Sequence, residues 1–170
     1  IPFFGLILNV LRIPIDWRIV LAASLIHPII YFIIKKPKLH VHFKITKETL
    51  SILAMLLIFF ANLYIHVSGA FVYPYLEDDD SWSHAMGVRF VAIEKTLFEK
   101  VNVIHYVDPY PPAYDLLMGI INQTNNSVYF TLKFFNAFIV ASSIIFFYFF
   151  VKKFTGSRNK ALFSSFVLFA

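Results

Sequence analysis

Residues 50–73 read LSILAMLLIFFANLYIHVSGAFVY, and no charged residue falls between Glu48 and Glu77. A bilayer core of about 30 Å takes about 20 apolar residues in a helix. The run meets that length, so the sequence predicts a membrane protein. Two further stretches read as spans. Residues 19–34 form a short one, with Trp17 and Tyr31 placed as interface anchors and a His27-Pro28 break expected inside it. Residues 129–151 hold a single charge, Lys133, one turn from the end, where a long side chain can snorkel to polar surroundings. His27 and His66 fall inside spans and are expected to bond to a neighbouring helix rather than relay protons.

Composition agrees. Of 170 residues, 59% are hydrophobic and only 15% charged, with a mean hydropathy of +0.71. A soluble domain carries about 45–50% apolar and about 25% charged residues. The contrast excludes a soluble globular protein, a disordered chain and a nucleic-acid-binding module. The 21 phenylalanines suit lipid-facing surface. The absence of Cys excludes a disulfide scaffold, a Cys-ligated zinc site and a Cys nucleophile. The apolar runs 1–11 and 161–170 are each too short to cross a bilayer and are expected to be severed spans. Residues 1–170 are then expected to be the N-terminal fragment of a multispan domain, inactive alone.

The charges orient the chain. Lys35, Lys36, Lys38, Lys44 and Lys47 lie between the first two spans, and Lys152, Lys153, Arg158 and Lys160 follow the third. Positive loops stay cytoplasmic, which places 35–47 and 152–160 inside and the segment 74–128 outside. That segment holds eight of the ten acidic residues and three bases. The expected fold is therefore an all-α, polytopic transmembrane helical bundle with an outward-facing loop that contains an interfacial amphipathic helix. Two sequons, Asn122-Gln123-Thr124 and Asn125-Asn126-Ser127, lie in this loop and are weak pointers to the same side.

The outer loop begins with Glu77-Asp78-Asp79-Asp80, just after the strongest span. Four adjacent carboxylates repel one another, and an oxygen-only set suits a hard divalent cation, Mg²⁺ or Mn²⁺. A metal held there would sit at the level of lipid phosphates. The plainer reading is a solvated acidic loop. Residues 81–100 read as an amphipathic helix, because Trp82, Met86, Phe90, Ile93 and Leu97 recur on one face. Asp80 or Ser81 is the expected N-cap, and His84 follows Asp80 by one turn. The apolar face is expected to lie against the membrane. Residues 101–107 are β-rich in character. Then come Asp108, Pro109, Tyr110, Pro111 and Pro112, a rigid turn, and residues 113–121 are apolar enough for a short re-entrant or interfacial helix. Asp108, Tyr110 and Asp115 are candidates to line a polar site.

The stretch Asp79-Asp80-Ser81-Trp82-Ser83-His84, with Gly87 and Arg89 after it, resembles the acidic motif of GT-C type membrane glycosyltransferases. It is most similar to the N-terminal part of the oligosaccharyltransferase catalytic subunit, particularly archaeal forms. Residues 108–117 resemble that family's Pro-Pro-aromatic-Asp stretch. The resemblance implies transfer of a sugar or oligosaccharide from a polyprenyl- or dolichyl-phosphate-linked donor to a protein or glycolipid acceptor on the outer face. It makes Asp80 and Asp79 the catalytic carboxylates, Asp80 and Asp78 the metal ligands, and His84, Arg89, Tyr110 and Asp108 substrate-binding residues. Membrane lipid is the implied medium, and a prokaryotic plasma membrane fits better than the endoplasmic reticulum. Transferases of single sugars, such as a protein mannosyltransferase or a lipid-modifying aminoarabinose transferase, fit nearly as well.

Two other classes compete. A transporter or flippase for an anionic lipid or solute predicts polar residues at the bilayer midplane. The spans offer only His27, His66, Asn62 and Asn136, while the charges gather at the interface. A non-catalytic scaffold or sensor explains the spans and leaves the acidic run accidental. No P-loop or dinucleotide fingerprint is present, nor a nucleophilic triad.

Overall fold

The computed structural model describes residues 2–36, 45–98 and 112–169. Those residues form seven helices and no strand: α1 (Pro2–Val10), α2 (Trp17–Lys35), α3 (Lys47–Ala70), α4 (Asp79–Glu94), α5 (Ala113–Asn125), α6 (Val128–Thr155) and α7 (Arg158–Phe169). Three of them, α2, α3 and α6, are long and apolar enough to cross a membrane. At 1.5 Å per residue they extend about 28, 36 and 42 Å.

Local chemistry sets their ends. The Asp16 carboxylate accepts from Arg18 N at 2.9 Å and caps α2. Thr46 and Thr49 exchange side-chain and backbone bonds in a capping box that starts α3. Three residues expected in the span, Phe71, Val72 and Tyr73, lie beyond the end of α3. The expected break at His27-Pro28 does not occur: α2 runs on through Pro28. Proline removes one backbone hydrogen bond, and membrane helices tolerate that loss better than soluble ones. His27 and His66 are exposed on their helices rather than packed between them.

The chain gathers into two compact units. One contains α1, α2, α4, α5 and the first turn of α6; the other contains α3, the rest of α6 and α7.

In the first unit α4 packs along α5. The close approach depends on Gly119, where a Cβ would come within 2.6 Å of Val91 Cγ1. Leu8, Ile15, Phe90, Val91, Leu116 and Ile120 are buried together. Polar bonds tie the connections to this core. Asn9 Oδ1 accepts from Leu97 N at 3.0 Å and from Thr96 Oγ1 at 2.9 Å. Gln123 accepts from Trp17 N at 2.8 Å and donates to the Ile15 carbonyl at 2.7 Å.

The apolar stripe of α4 and the residues after it, expected to lie against the membrane, is divided: Phe90 and Leu97 are buried in the core, and the rest of it is exposed. Ala85, Val88 and Val91 point inward, whereas Trp82, Met86 and Ile93 are exposed. The small face Ala85-Val88-Val91 lets α4 approach Gly119 closely, which bulky Trp82 and Met86 cannot do. The helix also stops at Glu94, where Lys95 takes the left-handed conformation (φ 55°) as C-cap, rather than at Lys100. The anticipated helix after Pro112 is present as α5 and extends to Asn125. The β-rich stretch 101–107 lies outside the described residues.

In the second unit Met55, Tyr148 and Ala161 are buried together, with Ile52, Leu56, Ile145 and Leu162 against them. The Ser51 and Tyr148 hydroxyls meet at 2.7 Å inside this cluster. Glu48 and Lys152 form an ion pair. Gly156, with φ at +65°, makes the turn from α6 into α7, and α7 packs back along α3.

Candidate functional site at the start of α4

All four carboxylates of the acidic run are exposed, but they are not equivalent. The N-cap is Asp78, not Asp80 or Ser81. Its Oδ1 accepts from Ser81 N at 2.7 Å. This backbone bond, with a further bond from the Ser81 side chain, holds the Asp78 carboxyl below its ordinary range. Asp79 and Asp80 occupy the first turn of α4. Negative charge is favourable there, at the positive end of the helix dipole. Part of the run is thus explained by helix initiation alone.

One turn after Asp80, His84 meets a partner that lies 31 residues further along the chain. Its Nδ1 stands 2.7 Å from Oδ1 of Asp115, in the first turn of α5. The Asp115 side chain is 2% exposed and that of His84 is 34% exposed. Tyr114 sets its ring edge-on to the imidazole, with centroids 4.9 Å apart. A carboxylate on Nδ1 favours the tautomer with its proton there and leaves Nε2 as an acceptor or ligand atom. Nearby, Trp82 and Tyr129 form an edge-on ring pair at 5.8 Å.

Arg89 does not join this pair. It lines a hollow of about 560 Å³ whose walls include none of Asp78, Asp79, Asp80, His84 or Asp115. Asp108 and Tyr110 lie outside the described residues. Among the described residues no group of three or more His, Asp or Glu is arranged to hold a metal ion. Asp78 and Asp80, the expected metal ligands, are both exposed, and Asp78 Oδ1 is engaged in the helix cap.

Both sequon asparagines serve the corner between α5 and α6. Asn122 is buried at 4% exposure and accepts from Thr131 Oγ1 at 3.3 Å. Asn125 donates to the same hydroxyl at 3.0 Å and accepts from Ser127 N at 2.8 Å. Glycan attachment at Asn122 would require leaving the core.

The chain was compared with protein-family models, curated proteins and solved structures, and none matches it.

Proposed function

We propose that the chain carries the outward-facing catalytic loop of a multi-pass membrane glycosyltransferase. It would move a sugar or oligosaccharide from a polyprenyl- or dolichyl-phosphate-linked donor to a protein or glycolipid acceptor. The supporting observation is the His84–Asp115 pair, set one turn after Asp80 on the helix that follows span α3. The lysine-rich segments 35–47 and 152–160 favour a cytoplasmic location for the opposite ends of the spans. A prokaryotic plasma membrane is the proposed setting. The exposed Trp82, Met86 and Ile93 suit a helix resting on lipid.

In this reading the acceptor hydroxyl or amide attacks the anomeric carbon of the donor. The bond to the lipid phosphate breaks, a glycosidic bond forms, and the phosphate departs with the electron pair. His84 Nε2 takes the acceptor proton, and Asp115 stabilises the resulting imidazolium and holds the ring in place. Asp79 and Asp80 orient the acceptor. A divalent ion on Asp80 and Asp78 would supply charge neutralisation for the leaving phosphate.

The test is Asp80→Ala in the protein expressed at full length in its membrane. Transfer to acceptor is expected to fall at least a hundredfold with insertion unchanged. Normal transfer by a correctly inserted variant would overturn the assignment.

A further inference from the structure

The hollow that receives Arg89 has chemistry of its own. It opens in the first unit among the start of α2, the C-terminal half of α4, the end of α5 and the start of α6. Three cations line it, Arg18, Arg89 and Lys95, against one anion, Asp16. Lys95 Nζ reaches Asp16 Oδ2 at 2.5 Å. That bond, above all other influences, lowers the Asp16 carboxyl from its ordinary range. The pair is therefore matched, and two guanidinium charges remain. Among the described residues neither Arg18 nor Arg89 enters an ion pair. Arg18 stands over the Trp17 ring at 5.6 Å. A cation–π contact of this kind steadies the guanidinium without consuming a carboxylate.

The walls are set before any ligand arrives. Gln123 uses both ends of its amide to bind Trp17 N and the Ile15 carbonyl, which fixes the start of α2 against the end of α5. Val128 and Tyr129, in the first turn of the long helix α6, also face the hollow. A helix start adds positive potential and backbone donors for an anion. Arginine is suited to phosphate because its planar fork donates two parallel bonds to two oxygens. A hollow of about 560 Å³ exceeds one phosphate and leaves room for the group attached to it. Two membrane-length helices begin here, each bringing an aromatic residue, Trp17 and Tyr129, of the kind that settles at headgroup level.

We infer that this hollow is a binding site for a phosphate-bearing anion, gripped by Arg18 and Arg89 at the level where α2 and α6 begin. It is distinct from the His84–Asp115 pair and does not depend on glycosyl transfer. The phosphate can be that of an anionic lipid headgroup or a free one, and the chemistry of recognition is the same.

Trp17 provides the reporter. The chain has two tryptophans, so Trp82→Phe leaves Trp17 alone. The full chain carrying that substitution is reconstituted in phosphatidylcholine nanodiscs, with increasing phosphatidylglycerol in one series and inorganic phosphate added in another. A saturable change in Trp17 emission is expected. Response to inorganic phosphate identifies a soluble ligand, and response to phosphatidylglycerol alone identifies a headgroup. Arg18→Gln and Arg89→Gln, both at exposed positions, should each weaken the response at least tenfold with the thermal midpoint unchanged. Lys153→Gln, remote in sequence, should leave it intact. No saturable response in either series would overturn the inference. So would an unchanged response in the double arginine variant, or equal weakening by Lys153→Gln.

Discussion

His84 Nδ1 and Asp115 Oδ1 stand 2.7 Å apart, joining the first half of α4 to the first turn of α5. The carboxylate is buried and the imidazole is partly open to solvent. One group is thus held rigidly by the core, and it orients another that a substrate can reach.

This arrangement predicts non-additive losses. Asp115→Asn should lower transfer about 10–100-fold, the range for a group that orients a functional imidazole, and His84→Ala about 100–10,000-fold, the range for a lost proton acceptor. The double variant should be little worse than His84→Ala alone, because Asp115 acts through the ring. A double-mutant cycle of transfer rates checks this, and losses that simply multiply would show two independent roles.

Asp78 separates helix capping from metal ligation. Serine caps a helix about as well as aspartate. Asp78→Ser should therefore keep the thermal midpoint while raising the Mg²⁺ concentration needed for half-maximal transfer. Asp78→Ala should lower the midpoint as well. An unchanged Mg²⁺ requirement in Asp78→Ser would assign Asp78 to the cap alone.

Gly119 is the contact point between α4 and α5. A Cβ there would press within 2.7 Å of both Val91 Cγ1 and Cβ. Gly119→Ala should cost about 1–3 kcal/mol by overpacking, read as a lowered thermal midpoint in detergent. Val91→Ala in the same chain should recover part of the loss, and a Gly119→Ala variant as stable as wild type would contradict the packing described.

The Asp16–Lys95 pair gives a pH signature. The bond from Lys95 holds the folded Asp16 carboxyl below its ordinary value. A group depressed in this way adds stability that is present above its unfolded value and lost as pH falls through the folded one. The contribution should be full at pH 7, begin to fall near the ordinary carboxylate value and vanish only below the lower folded one. Lys95→Met should lower stability at pH 7 by about 0.5–1 kcal/mol, as a partly exposed pair warrants, and flatten the acid limb. Parallel acid limbs in the two proteins would rule the pair out as a source of stability.

Inside the second unit, Tyr148→Phe should cost about 0.6 kcal/mol, the average worth of a polar contact between membrane helices. Ser51→Ala in the same chain should add little, since its partner is already gone. Thermal midpoints of the single and double variants decide it.

The spans were legible because an uninterrupted apolar run has one meaning in a bilayer. Residues 50–73 required no partner to be read as a helix of membrane length. The capping choice was harder. Asp78, Asp79 and Asp80 are the same residue type in a row, and only backbone geometry selects Asp78. The face of α4 was legible only in part: Trp82, Met86 and Ile93 are exposed, whereas Phe90 and Leu97 of the same stripe are buried. Burial went also to Ala85, Val88 and Val91, whose small size matters only once Gly119 stands opposite. Asp115 was visible as one of several polar residues after the proline turn. Its pairing with His84 depends on how α4 and α5 cross, which spacing along the chain does not encode. A partial signal did exist: an aspartate beside two leucines at the start of an apolar helix needs a cationic or hydrogen-bonding partner.

The central claim is that the start of α4, with its histidine, performs sugar transfer at the membrane surface. The most direct measurement is the conversion of a labelled acceptor by the purified full-length protein, supplied with a lipid-phosphate-linked sugar and Mg²⁺. Wild type, Asp80→Ala and His84→Ala are compared at equal thermal midpoints. Conversion by wild type and its loss in both variants is expected. Equal conversion in all three, or none by wild type across lipid-linked donors, would contradict it.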